Sequence, residues 1–140
     1  MHIQSKPTPE YHVVVGIIYK GEHGLITQRK AEGLLGGLWE FPGSKVKAGD
    51  TAKVACAREI QEEVNLCVES VEFLTRVRHA YTHFKIVVDV FQCCYQSGTV
   101  ALHGPVDYRW PRIDETDQYP FPRVNHKFIP LLKKLLMLTP

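Results

Sequence analysis

The chain has 140 residues, of which 44% are hydrophobic and 23% charged, with 17 basic against 15 acidic side chains and a formal net charge of +2. That composition supports one packed core, excludes a disordered or fibrous chain, and is too weakly basic to argue for nucleic acid from charge alone. No apolar run approaches the roughly 18 residues of a membrane span and the N-terminus is polar, so no membrane partner is expected and the cytoplasm is the expected compartment.

Residues 1 to 10 carry two prolines and read as a loosely held arm on a single domain spanning 1–140. Tyr11 to Lys20 is rich in valine and isoleucine, the pattern of a buried strand. Gly21 to Gly24 reads as a turn and Leu25 to Lys30 as a second strand, together a hairpin. A glycine-rich loop, 31–37, precedes a short strand, Leu38 to Phe41, which Pro42-Gly43 ends. A helix is expected from Asp50 or Thr51, both good N-caps, to Asn65, which tolerates the left-handed conformation of a helix terminator. Val71 to His79 and Phe84 to Tyr95 alternate as strands, Tyr108 to Ile113 as a last one. A leucine-rich helix covers about Asn125 to Met137, with Pro130 suited to its first turn. The order predicts an α+β fold, a mixed sheet flanked by two helices. Cys56, Cys67, Cys93 and Cys94 show no C-x-x-C pairing and read as core thiols in a reducing compartment.

The most informative stretch is the first helix with the loop before it. Glu59, Glu62 and Glu63 fall within an arc of roughly 100° on one face. Val54, Ala57, Ile60 and Val64 occupy the opposite arc, so the apolar stripe is expected to face a core and the acids to face away from it. Three carboxylates this close repel unless a cation lies between them. With the Gly43 carbonyl they make an oxygen-only ligand set, suited to Mg²⁺ or Mn²⁺ and unsuited to zinc. Such a site suits diphosphate hydrolysis, with one carboxylate helping to activate water and Arg58 holding an acid in place. A solvated acidic surface is the plainer alternative.

At these spacings the stretch resembles the Nudix box, Gly-x5-Glu-x7-Arg-Glu-U-x-Glu-Glu-x-Gly-U, where U is a bulky aliphatic. Arg58, Glu59, Ile60, Glu62, Glu63 and Leu66 match it, while Ser44, Asp50 and Asn65 depart from it. The resemblance implies the Nudix α/β/α sandwich over essentially the whole chain. It also implies that Glu59, Glu62, Glu63 and the Gly43 carbonyl hold Mg²⁺, with Arg58 and Asp50 orienting them. Asp50 is one methylene shorter than the family's Glu, and Ser44 replaces a glycine. His103 stands just before Gly104, where MutT-like relatives often supply a further metal-binding glutamate.

Outside the box, residues 34–43, residues 79–84, Trp110 and Tyr119 to Pro122 resemble the C-terminal domain of MutY-type adenine DNA glycosylases. In that family a loop at the position of Tyr81-Thr82-His83 reads 8-oxoguanine. With 140 residues and four scattered cysteines, the chain is not expected to hold that enzyme's helical domain or its iron–sulfur cysteines. MutT-like relatives also imply base reading by Asn125, substrate contact by Arg29 and base packing by Phe41. Asn125 could instead cap the last helix. The sequence therefore predicts a Mg²⁺-dependent hydrolase of a nucleoside triphosphate, with 8-oxo-dGTP a candidate, releasing monophosphate and pyrophosphate. Its rival is a non-catalytic module that recognises 8-oxoguanine in DNA through Thr82 and His83. Monomer and homodimer stay open.

Overall fold

The computed structural model describes residues 7–138. Residues 1–6 of the expected N-terminal arm lie outside them, and the first strand, β1, begins at Glu10.

The larger sheet is built on β1 (Glu10–Lys20), which pairs in parallel with β7 (Lys85–Ser97); β7 in turn pairs antiparallel with β6 (Cys67–Ala80). The other edge of β1 takes two short antiparallel partners, β2 (His23–Gly24) at its end and β5 (Gly43–Lys45) at Val13 to Val15. A smaller antiparallel sheet has the order β4 (Trp39–Glu40), β3 (Ile26–Gln28), β8 (Asp107–Arg109). One helix, α1 (Ala52–Val64), covers one face of the larger sheet over Val14, Ile18, Phe91 and Cys93. The other, α2 (Ile129–Leu138), closes the core of Val15, Ile17, Phe41, Val88 and Val90 through Ile129 and Leu132, with Phe128 just before it. The parallel β1–β7 pair is buried on both faces, hence its continuous apolar runs. The arrangement is the expected sandwich of a mixed sheet between helices.

Several details differ from the sequence expectation. The hairpin stops at Leu25, whose N–H donates to the Ile18 carbonyl at 3.2 Å; from Ile26 the chain belongs to the second sheet. Gly43 to Lys45 form a strand that the Pro-Gly pair concealed. The last strand ends at Arg109, and Arg112 only bridges His23 before a 3₁₀ turn, Ile113–Gln118. Asn125 lies in a second such turn, Arg123–Lys127, so α2 begins at Ile129 with Pro130 in its first turn, and Asn125 is no cap for it. Cys56 and Cys93 are core thiols, whereas Cys67 and Cys94 are exposed.

Helix α1 starts and stops where its caps dictate. Thr51 accepts from the Val54 N–H at 3.3 Å, and Asn65 is left-handed, with φ 64°. Its buried stripe is rotated from the one expected. Val54 is 59% exposed, while Ala55, Cys56, Glu59, Ile60 and Val64 are buried. Small residues decide this phase. A Cβ on Gly16 of β1 would lie 2.6 Å from Ile60 Cδ1 and 3.0 Å from Cys56 Sγ. Gly16, Ala55 and Cys56 let helix and sheet approach closely, and that approach draws Glu59 and Glu63 inward. The acids were expected to face away from the core; two of them face into the protein.

Candidate active site

A cavity of about 590 Å³ opens between the larger sheet, the 31–37 loop, the 98–106 loop and the turn before α2. Its lining includes Glu63 with its neighbours Glu40, Arg29 and Gly43, and His103. Tyr11, Phe84, Ile86 and Asn125 line it as well.

Glu63 is the most unusual group in it. Its Oε1 is fully buried without a hydrogen-bond partner, and its carboxylate accepts from the Gly43 N–H. Burial, then the charges of Glu40 and Glu59, push its pKa up to about 8, with Arg29 and the Gly43 N–H opposing. Glu40 is likewise raised, by burial first, with Arg29 opposing. The Arg29 Nη1 lies 3.1 Å from Glu40 Oε2, and its Nε donates to the Leu34 carbonyl at 3.1 Å, so the guanidinium is fixed at the cavity edge. Gly43 has no alternative: a Cβ there would fall 2.0 Å from the Val14 carbonyl oxygen. The 98–106 loop is tied to the helix end, the N–H groups of Ala101 and His103 donating to the carbonyls of Val64 and Glu63 at 3.1 and 2.8 Å.

This geometry agrees with the comparisons. A NUDIX domain model matches residues 13–131. The chain belongs to the Nudix family. An 8-oxo-dGTP diphosphatase of Buchnera aphidicola (Schizaphis graminum) is 29% identical over 89% of this chain and 95% of its own. A CTP pyrophosphohydrolase of Escherichia coli K12 is 29% identical over 90% of this chain and 91% of its own. The adenine DNA glycosylase of Rattus norvegicus is 29% identical over 74% of this chain, a match that covers 21% of that enzyme. The MutT protein of Methanosarcina mazei has the same fold, with a TM-score of 0.80 at 22% identity over 93% of this chain and 97% of that one. With diphosphatase and pyrophosphohydrolase relatives across nearly its whole length, the chain is a MutT-like Nudix hydrolase.

The Nudix box residues divide into two groups. Arg58 gathers one: its Nη1 lies 2.8 Å from Asp50 Oδ2 as a charge pair, its Nη2 3.4 Å from Glu59 Oε1, and its Nε 3.9 Å from Glu62 Oε1. The shorter Asp50 therefore still reaches Arg58. Glu62 is the outlying acid, its side chain 56% exposed. Glu63 and Gly43 form the second group, at the cavity. Ser44 pairs with Val14 in β5 and has no positive φ, so serine is accommodated where the family has glycine. Asn125 is buried, its Nδ2 3.2 Å from the Pro122 carbonyl, and Phe41 lines the cavity while stacked on Phe121 at 5.4 Å. His103 lines it too. Thr82 and His83 are exposed and do not line it. Their neighbour Tyr81 is structural: its ring stacks on Phe84 and its hydroxyl accepts from the Val124 N–H at 3.1 Å.

Glu40 was not singled out from the sequence. Its signal was an acid between two core aromatics, Trp39 and Phe41, on a strand whose partner delivers Arg29. Tyr11 and Phe84 escaped as ordinary strand residues.

Nudix hydrolases generally use a divalent metal. The donor chemistry suits one, with an orphaned, buried Glu63 oxygen and two nearby carboxylates, while among the described residues no three acidic, histidine or cysteine side chains are grouped closely enough to hold an ion as they stand.

Proposed function

We propose that this protein cleaves the diphosphate linkage of a nucleoside triphosphate, 8-oxo-dGTP foremost, to the monophosphate and pyrophosphate in the cytoplasm. The observation that carries it is Glu63, a carboxylate with a buried, unpartnered oxygen beside two other acids, in a cavity of the size small ligands occupy. The relatives' named activities support the same reading. The acting unit is the single domain 1–140.

Glu59, Glu62 and Glu63, with the Gly43 carbonyl, would hold Mg²⁺ or Mn²⁺; bound there, the ion neutralises phosphate oxygens and acidifies water. Arg58 and Asp50 orient Glu59 and Glu62. Arg29, fixed by Glu40 and the Leu34 carbonyl, meets the phosphates. Phe41 and Asn125 line the base end, where a buried amide bonds a purine edge at two points. Water attacks the β-phosphorus, and the bond from that phosphorus to the α–β bridging oxygen breaks. The bridging oxygen leaves with the nucleoside monophosphate. A carboxylate oxygen such as Glu63 Oε1 takes the water's proton.

The test is pyrophosphate release from 8-oxo-dGTP, dGTP and CTP with Mg²⁺ or Mn²⁺, run beside Glu62→Gln. We expect release from at least one nucleotide and a loss of two orders of magnitude or so in the variant. Inactivity on all of them, or a variant as active as wild type, would refute the reading.

A further inference from the structure

Arg29, Arg58, Arg76, Arg109 and Arg112 each lie within ion-pair distance of a carboxylate. Arg78 and Arg123 have no such partner among the described residues, and both are exposed. They occupy the same end of the molecule. Arg78, His79, Lys85 and Lys127 line a groove of about 180 Å³ at the β6–β7 end of the sheet, with Glu10 the acid on its rim. Lys127 donates through Nζ to the backbone carbonyl of Arg78, which joins the turn carrying Arg123 to β6. The positive field is felt by His79, whose pKa is lowered by burial first and then by Lys127 and Arg123.

Elsewhere this chain neutralises its arginines locally. Here one guanidinium and two ammonium groups line a single groove with one acid, and Arg123 is near enough to act on His79 as Lys127 does, an excess of positive charge that an anion relieves. Ile86 is a wall of both this groove and the larger cavity, so the two concavities adjoin without sharing a charged residue.

We propose that this groove is a second anion site, taking a phosphate group held by the Arg78 guanidinium fork with Lys85 and Lys127, and with Arg123 on the adjoining turn as a supporting charge. A phosphate of that kind comes either from a free polyphosphate or from a nucleic-acid backbone. The site does not depend on the hydrolytic reading, because none of its charged residues lies in the cavity.

The experiment measures binding of the full chain, in low salt and EDTA, to two probes: inorganic pyrophosphate and a labelled, undamaged single-stranded oligonucleotide. Nucleotide hydrolysis is followed separately. For the exposed double variant Arg78→Ala/Arg123→Ala we expect at least about tenfold weaker binding. The slope of log affinity against log salt should fall by about 1 for each phosphate contact removed, with hydrolysis within about twofold of wild type. Lysine at both positions should recover most of the affinity. Lys85→Ala, a milder change, should weaken binding about threefold and keeps the test open should the double variant fold poorly. Pyrophosphate binding without gain from strand length identifies a free anion as the source, and affinity that climbs with length identifies a nucleic-acid strand. Wild type binding neither probe, or a folded double variant binding both as tightly as wild type, would overturn the site.

Discussion

On the α1 side of the larger sheet, Asp89 is 2% exposed and fully answered: Arg76 Nε reaches Oδ1 at 2.6 Å, Arg76 Nη2 reaches Oδ2 at 2.9 Å, and His12 Nε2 lies 2.5 Å from Oδ2. Glu63 is also withdrawn from water, yet it faces two other acids and leaves Oε1 without a partner. Hydrogen bonding from Arg76 and His12 outweighs burial and lowers the Asp89 pKa, whereas burial and like charge raise that of Glu63. A buried charge with its counter-charges built in joins strands together. One left with an unpartnered oxygen, and with two acids against a single arginine around it, is a place for an incoming cation.

The sharpest way to break this contrast is to neutralise Glu63. Glu63→Gln should lower kcat/KM by about 10²–10⁴ if its carboxylate acts as proposed. The same change should remove the rise in Tm that Mg²⁺ gives wild type, since only a ligand for the folded state stabilises it. Metal-free stability supplies a pH test. With a folded pKa near 8, above the unfolded value, Glu63 binds a proton in the folded state that the unfolded chain has lost. Metal-free wild type should therefore lose stability as pH rises from about 4.5 to 8, and Glu63→Gln should lose less across that window. Equal pH slopes in thermal melts of the two proteins would contradict the assignment.

Asp89 should behave in the opposite sense. Its lowered pKa means the unfolded chain takes up a proton first as pH falls, so its stabilisation is present above about pH 4 and lost on acidification through the folded value. Asp89→Asn should lower Tm by roughly 5 °C or more at neutral pH, with a gap to wild type that narrows below pH 4. Hydrolysis at a temperature where both are folded should be unchanged within about twofold, as Asp89 lines no part of the cavity. A large loss of activity there would merge the two regions that the structure separates.

How much of this was legible beforehand depended on whether a residue's role is local. The caps of α1 were readable because Thr51 and Asn65 act through their own backbone. The box acids were readable from spacing, but their inward orientation was not: it follows from Gly16 meeting Cys56 and Ile60, a contact about 40 residues apart in sequence. Glu40 and Arg29 pair through adjacent strands of the smaller sheet, and nothing in either segment alone announces it. Asp89 went unread because an acid in an apolar run declares itself only once Arg76 and His12 are brought alongside. Thr82 and His83 were placed in a site by resemblance of a loop, and the connection they occupy lies outside the cavity.

The smallest expected effect concerns Ser44, where the family has glycine. Glycine is required where φ is positive or where a Cβ collides. Gly43 is of the second kind, its missing Cβ leaving room for the Val14 carbonyl, and Ser44 is of neither, being an ordinary β5 residue paired with Val14. Restoring glycine should then relieve nothing. Ser44→Gly should change kcat/KM by less than about twofold and cost roughly 0.5–1 kcal/mol of stability, the entropic penalty of glycine in a strand. Steady-state hydrolysis and a denaturant melt decide it. A tenfold gain in kcat/KM would mean that the hydroxyl or Cβ of Ser44 intrudes on the substrate, since the backbone gives no reason for one.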